Sequence, residues 1–419
     1  MKRSSGKSLA VAVVVTAVAV ATIATGSVAP AGATRSVRGF DGSTITLASF
    51  GVVSQFTNTP IGVQARIKAF NDDNEVKGVK LKFSEFADDN QDPATALSSE
   101  RRLVTQDGVF AIVGDVSANN GTYLQQQKVP YFGWAFDDSY CTSSKKPDTS
   151  IYGFGFNGCL VPGAPKVMPD NGKPSYTYVS QTTGKKHPTL LIFGDDVQAG
   201  KDSVKYQATS YKGAGFDVVA TNNELPPPPV SDYTPYVQKY LTADNGKAPD
   251  AILCLLATQC INVFSSLVPA GFTGTYISSL YSDILVKALK GTAANVPFVA
   301  LNENTPGLTK LKATVDAYQS GASAKLDTAM MAGYLSTDMF IQALKTAAKK
   351  GKSNITPEAV QKAAMNQTWQ IAGVAGPTTY PNATVTSYQS CGSEVLSDGT
   401  AWKTVTPYAC STKLWPVKP

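Results

Sequence analysis

The chain has 419 residues, 43% of them hydrophobic and 16% charged, which supplies a large folded core and excludes a disordered or coiled-coil chain. That length exceeds one ordinary core, so two lobes of similar size are expected. A net charge of +6, from 37 basic and 31 acidic residues scattered along the chain, excludes a nucleic-acid footprint.

The N-terminus reads as an export signal. Lys2, Arg3 and Lys7 form a basic start, residues 9–24 are almost wholly apolar, and Ala31-Gly32-Ala33 offers small residues for cleavage. Residues 1–33 are therefore expected to be a signal peptide, with the mature protein starting at Thr34. The alternative is an uncleaved membrane anchor, for which the apolar run is short. No later segment is long and apolar enough to span a membrane. No cysteine lies near the cleavage point, so a lipoprotein is not expected. The location is periplasmic or extracellular.

From residue 44 onward strands and helices alternate. Residues 45–50 read as a buried strand, followed by Val63, Ile67 and Phe70 at helical spacing. Residues 79–83 form a second strand. Asp92 caps the next helix with Pro93 in its first turn, and Ala96, Leu97, Leu103 and Val104 are expected on its apolar face. Residues 109–113 are a third strand. This βαβαβ run predicts a parallel sheet covered on both faces.

The pattern then restarts. Strands are expected at 189–193, 218–220, 251–256 and 276–278. Helices between them are marked by Val204, Ala208 and Tyr211, by Asp232-Tyr233-Thr234, and by Ile261, Phe264 and Leu267. After residue 297 the character changes. A short strand is expected at 296–299, helices at 308–318 and 328–350, and another from Pro357. The long helix carries Met331, Leu335, Met339 and Ala343 on one face. Ser397-Asp398-Gly399 reads as a hairpin turn in the β-patterned tail.

Six cysteines behind an export signal favour disulfides. Fifteen pairings are possible. The sequence-local set Cys141–Cys159, Cys254–Cys260 and Cys391–Cys410 is preferred because near neighbours close cheaply. With no Cys-x-x-Cys and one histidine, His187, no metal site is expected. No Walker loop, dinucleotide fingerprint or Gly-x-Ser-x-Gly elbow occurs, so neither a cofactor nor an enzymatic function is expected.

Several blocks carry a family resemblance. ADDNQDPATALSSERRLVTQDGVFAIVGDVSANNG (87–121), KHPTLLIFGDDVQAGKDSV (186–204), SDYTPYVQKYL (231–241) and KAPDAILCLLATQC (247–260) together resemble the branched-chain amino-acid-binding type of ABC-importer solute-binding protein. The resemblance implies an α/β type I periplasmic binding protein fold, with two Rossmann-like lobes of parallel sheet joined by three crossovers. These fall near Gly153, Val296 and Ala383. The lobes would comprise residues 34–153 and 297–383 on one side, and 154–296 and the tail 384–419 on the other. The implied function is capture of a small amino acid or other small carboxylate, aromatic ones included, and delivery to ABC permease subunits. A ligand sensor acting with a signalling receptor is the alternative. A secreted hydrolase is disfavoured.

Ligands of open α/β sheets bind beyond the carboxyl ends of the strands. That places Val116, Ser117, Ala118 and Asn119 after the third strand, where small residues expose main-chain donors. It also places Trp134, Ala135, Phe136 and Asp137 after the fourth, with Trp134 and Phe136 as an apolar wall and Asp137 as a partner for an ammonium. The resemblance adds Phe56 and Asn58 as a lid-like contact, and Thr258, Gln259, Tyr281, Asp283, Tyr334 and Asp338 from the rest of the cleft. The family's ammonium-gripping carboxylate would fall near Leu280, so a ligand less polar than an amino acid is expected.

Overall fold

The computed structural model describes residues 37–119, 121–141, 149–160, 165–255, 259–278, 280–282, 285–381 and 391–417. The signal segment, Thr258, Asp283 and the crossover near Ala383 lie outside these residues. No helix of the described residues is long and apolar enough to cross a membrane.

The first sheet is built from β1 (Thr44–Gly51), β2 (Lys80–Asp88), β3 (Ala111–Val116), β4 (Tyr131–Gly133) and β5 (Gly153–Gly155), in the order β2-β1-β3-β4-β5 and parallel throughout. β3 is buried along its whole length, as a strand covered on both faces must be. Helices α1 (Thr59–Asp72), α2 (Pro93–Thr105) and α3 (Thr122–Gln126) link successive strands. The Asp92 side chain caps α2 by accepting from the Thr95 N–H at 2.7 Å. Leu97, expected on the buried face of α2, is instead 36% exposed. The buried stripe runs Ala96, Glu100, Leu103, Val104, the i, i+4, i+7, i+8 spacing of one helix face, and Leu97 lies one residue off it.

The second sheet repeats the same order. β6 (Val167–Pro169) and α4 (Lys173–Thr183) lead into β7 (Thr189–Asp195), α5 (Gln198–Ala214), β8 (Asp217–Leu225), α6 (Thr234–Leu241), β9 (Ala251–Cys254), α7 (Cys260–Leu267), β10 (Thr275–Ser278) and β11 (Thr292–Val296). β8-β7-β9-β10-β11 are parallel neighbours. The strand expected at 296–299 ends at Val296. Pro297 has no N–H to give a ladder, and beyond it only an isolated bridge joins Phe298 to Ala375.

Helices α8 (Pro306–Tyr318), α9 (Thr328–Ala348) and α10 (Pro357–Ala364) return to the first sheet. α9 buries Met331, Leu335, Met339 and Ala343 completely. It meets α1 at two glycines: a Cβ on Gly62 would lie 2.0 Å from the Met330 carbonyl oxygen, and one on Gly333 would lie 2.2 Å from that of Thr59. Only residues without a side chain permit that approach. β12 (Thr368–Ile371) and β13 (Ala375–Thr379) form a hairpin. β14 (Cys391–Ser397) and β15 (Trp402–Cys410) form another, which adds to β11 antiparallel and closes the second sheet. β16 (Leu414–Pro416) pairs with β6. Asp398 builds the turn between β14 and β15 by accepting from the N–H groups of Thr400 and Ala401, each at 2.8 Å.

The three disulfides are Cys141–Cys159, Cys254–Cys260 and Cys391–Cys410, the sequence-local set. Both sheets belong to one unit, Val37–Pro419.

Candidate functional site

Two cavities lie where carboxyl ends of parallel strands from both sheets meet. The first, of about 100 Å3, has Trp134 and Phe136 beyond β4 and Asn157 beyond β5 on one side. Across it stand Leu253–Leu255 at the end of β9, Ser278 at the end of β10, and Asn295 and Pro297 around the end of β11. The second, of about 90 Å3, is lined by Phe56, the same Trp134 and Phe136, Leu280, Tyr281 and Leu285, and by Asp327 and Thr328 at the start of α9. The position is the one where open α/β sheets take ligands.

An aromatic wall separates the cavities. The Trp134 and Phe136 rings lie 5.8 Å apart and 18° from parallel. Phe56, from the loop after β1, tilts against both at 6.4 and 6.0 Å. Ala135 between them has a positive φ of 63°, a conformation costing an L-residue about 1–2 kcal/mol. It packs its methyl back toward Gly155 while its neighbours face the cavities. Polar contacts tie the rim together. Thr328 donates to the Tyr281 carbonyl from its N–H and Oγ1 at 2.9 and 3.0 Å. Asp327 accepts from Asn58 Nδ2 at 2.7 Å and caps α9 by accepting from the Met330 N–H at 2.8 Å. Cys254 and Cys391, members of two of the disulfides, line the first cavity.

A family model described as periplasmic binding protein matches residues 46–387. The chain belongs to the periplasmic binding protein family. Its fold is similar to that of a possible leucine/isoleucine/valine-binding protein from Rhodopirellula baltica SH 1, with TM-score 0.68 and 14% identity over 87% of this chain and 97% of that one. It is similar also to a fatty acid ABC transporter substrate-binding protein from Thermomonospora curvata, with TM-score 0.66 and 17% identity over 90% and 95%. A third similar structure is an ABC transporter solute-binding protein from R. palustris in complex with 4-hydroxybenzoate, with TM-score 0.64 and 16% identity over 89% and 98%. A sequence search of curated proteins gives no match. At these identities the likeness is one of fold, the two-lobed type I arrangement of this family.

Of the residues anticipated for the periplasmic binding protein cleft, the structure brings Phe56, Trp134, Phe136 and Tyr281 together at the cavities, with Asn58 behind them on Asp327. Leu280 lines the second cavity at the place where an ammonium-gripping acid was sought. Others are turned elsewhere. The Asp137 carboxylate points into the first lobe and caps the short helix Asp138–Tyr140 by accepting from the Ser139 N–H at 2.7 Å. Burial raises its pKa well above the usual carboxylate range, which is unsuited to an ion pair with an ammonium. Ala135 and Val116 are buried in the cores. Ser117 donates from Oγ to Asp89 at 2.5 Å and is 1% exposed. Ala118 is exposed and Asn119 half-buried, and neither cavity takes a wall from them. Gln259 spends its amide on Tyr233 and, at 2.7 Å, on the Pro226 carbonyl.

Tyr334 and Asp338 pack α9 against its neighbours instead of lining the cleft. Asp338 accepts from Arg66 Nε at 2.7 Å and from Trp369 Nε1 at 3.0 Å, and Tyr334 is 7% exposed in the α1–α9 core. The reason is distance along the helix axis. Asp327 and Thr328 at the very start of α9 reach the cleft, whereas Tyr334 and Asp338, seven and eleven residues past Asp327 on nearly the same face, lie about 10 and 16 Å further along the helix. Sequence reasoning missed Asn157, Asn171, Gln207, Asn295 and Asp327. Asp327 carried a usable signal, since an Asp before a long apolar helix is a cap, and a cap at a cleft-facing helix start lies in the site.

Proposed function

We infer that this chain is the extracytoplasmic solute-binding component of an ABC importer, exported by residues 1–33 and organised as the two lobes 34–153 with 297–383 and 154–296 with 384–419. It captures a small carboxylate with a largely apolar body and passes it to permease subunits in the membrane, without turnover. Closure of the lobes would bury the ligand and present their outer faces to the permease. The observation that carries this reading is the Phe56–Trp134–Phe136 group at the meeting of two sets of strand ends. Aromatic faces take flat or aliphatic bodies, and Leu280 stands where an amino-acid binder would place an acid. The similar proteins described as binding a fatty acid and 4-hydroxybenzoate support a ligand class wider than amino acids. The test is a thermal-shift screen of the secreted protein against amino acids, aromatic acids and short fatty acids. A ligand bound only by the folded state must raise the melting temperature, by mass action. An apolar carboxylate is expected to give the largest shift. A screen in which no solute shifts the melt, with turnover of an ester or glycoside, would replace the reading by an enzymatic one.

A further inference from the structure

Asn157 sits in the turn after β5 and lines the larger cavity, yet it is 2% exposed. Neither its Oδ1 nor its Nδ2 has a hydrogen-bond partner among the described residues. Buried side-chain amides are normally paired, so an open donor and an open acceptor on one buried residue call for an explanation. The fold builds this place deliberately. A Cβ on Gly155 would lie 3.2 Å from Asn157 Oδ1, and Cys159 anchors the turn through its disulfide to Cys141.

The surrounding polar side chains already have hydrogen-bond partners. Asn171 Nδ2 donates to Gln207 Oε1 at 2.6 Å, Asn295 Nδ2 donates to Ser175 Oγ at 3.0 Å, and Ser278 Oγ accepts from the Leu280 N–H at 3.2 Å. They form a fixed, uncharged frame. No Asp, Glu, Lys, Arg or His is among the described lining residues. Opposite the frame stands the Trp134–Phe136 pair.

We propose that this cavity takes a planar, uncharged end of the ligand, a carboxamide or lactam, paired edge-on with the Asn157 amide beside the Trp134–Phe136 pair. This rests on the solute-capture reading, and in place of a carboxylate it puts an uncharged amide at the Asn157 end. An amide presents one N–H and one C=O side by side, so it satisfies both open ends of Asn157 at once. A carboxylate presents two acceptors, meets Nδ2 alone and sets its second oxygen against Oδ1. An ammonium presents only donors and leaves Nδ2 unpaired. An alkyl group leaves both ends unpaired, and sites built to hydrogen-bond a ligand reject analogues lacking the group far more strongly than apolar pockets discriminate. Because both ends of Asn157 are open, the pairing holds whichever way the side-chain amide is turned.

The test is calorimetric titration of the full secreted protein with benzamide and with benzoate, on wild type, Asn157→Leu and Asn157→Ala. Wild type is expected to bind benzamide at least tenfold more tightly than benzoate. Asn157→Leu should weaken benzamide at least tenfold and benzoate by less, so that the preference for benzamide is lost, while the melting temperature of the unliganded variant is unchanged or raised, since a buried unpaired amide has been removed. Asn157→Ala gives the same affinity comparison if the leucine variant does not fold. Tighter binding of benzoate than benzamide by wild type, no binding of benzamide, or full benzamide affinity in the folded variants would overturn the proposal. Binding of benzoate or another screened solute would then leave solute capture standing, whereas failure of every solute to bind would remove the underlying reading as well.

Discussion

Glu394→Gln should flatten the pH dependence of stability. Glu394 lies on β14 directly opposite Asn295 of β11. It is fully buried, accepts from Ser175 Oγ at 2.8 Å through one oxygen, and leaves the other unpaired among the described residues. Burial pushes its pKa up to about 8 from the ordinary 4.5. At neutral pH the carboxyl is therefore protonated in the folded protein and ionised in the unfolded chain. Raising the pH from about 4.5 to about 8 releases a proton only from the unfolded state, so stability falls across that window and levels above it. At 1.36 kcal/mol per pKa unit the full loss is up to roughly 5 kcal/mol, and up to roughly 3 kcal/mol is lost by pH 7. Glu100, 2% exposed with one unpaired oxygen and also raised to about 8 by burial, titrates in the same window. Urea unfolding of disulfide-intact protein from pH 5 to pH 9 should thus show a steep decline for wild type. For Glu394→Gln the decline should be shallower but not absent, since Glu100, Asp137 and Asp89 are also raised by burial, with the variant more stable by about 2–4 kcal/mol at pH 8. Parallel declines for the two proteins would refute the argument, because they would show that Glu394 ionises equally in both states.

Trp134 and Phe56 touch the same aromatic group but differ in burial. Trp134 is 3% exposed and also packs on Phe156 and Phe298, so Trp134→Ala should cost about 3–5 kcal/mol of unliganded stability as well as ligand affinity. Phe56 is half-buried on a loop, so Phe56→Ala should weaken ligand binding by about 1–3 kcal/mol and change unliganded stability little. Denaturant unfolding and calorimetry on both variants separate the two, and equal stability losses would contradict the difference in burial. Asp327→Ala should remove the α9 cap, at a cost of about 1 kcal/mol, and release Asn58 and the Phe56 loop. A melting shift accompanied by weaker ligand binding is expected, and a melting shift alone would detach that rim from the site.

The parallel-sheet order was legible because its strands are buried runs bounded by capped helices. Ile45, Leu47, Ala111 and Val113 on one sheet, and Leu191 and Ile252 on the other, are apolar for the same reason that they are central. β4 and β5 have three residues each. β5 is Gly-Phe-Gly, too short to show a period and too glycine-rich to show a strand preference. Asn157, two residues beyond it, was accordingly invisible. The Cys391–Cys410 pairing and the turn at Asp398 were legible because both depend on neighbours in the chain.

Site residues were harder to read because a strand end presents alternate residues to opposite sides. Reading 134–137 as one block made four ligands where the backbone allows two. Trp134 and Phe136 face the cavities, while Ala135 and Asp137 face the core and the short helix behind it. The period of two that identifies strands would have divided them, provided the strand was taken to persist past Gly133. The same logic separates Ser117 from Ala118. The hydroxyl that seemed suited to a ligand serves Asp89, because a buried carboxylate must be hydrogen-bonded somewhere. In this chain Asp338 and Gln259, rich in apparent chemistry, are spent by the fold on its own polar satisfaction. The cavities are left to aromatic rings, to amides and to Asp327. A polar side chain gains weight as a ligand contact when the fold leaves it unpaired, and among the described lining residues Asn157 meets that criterion at both ends of its amide.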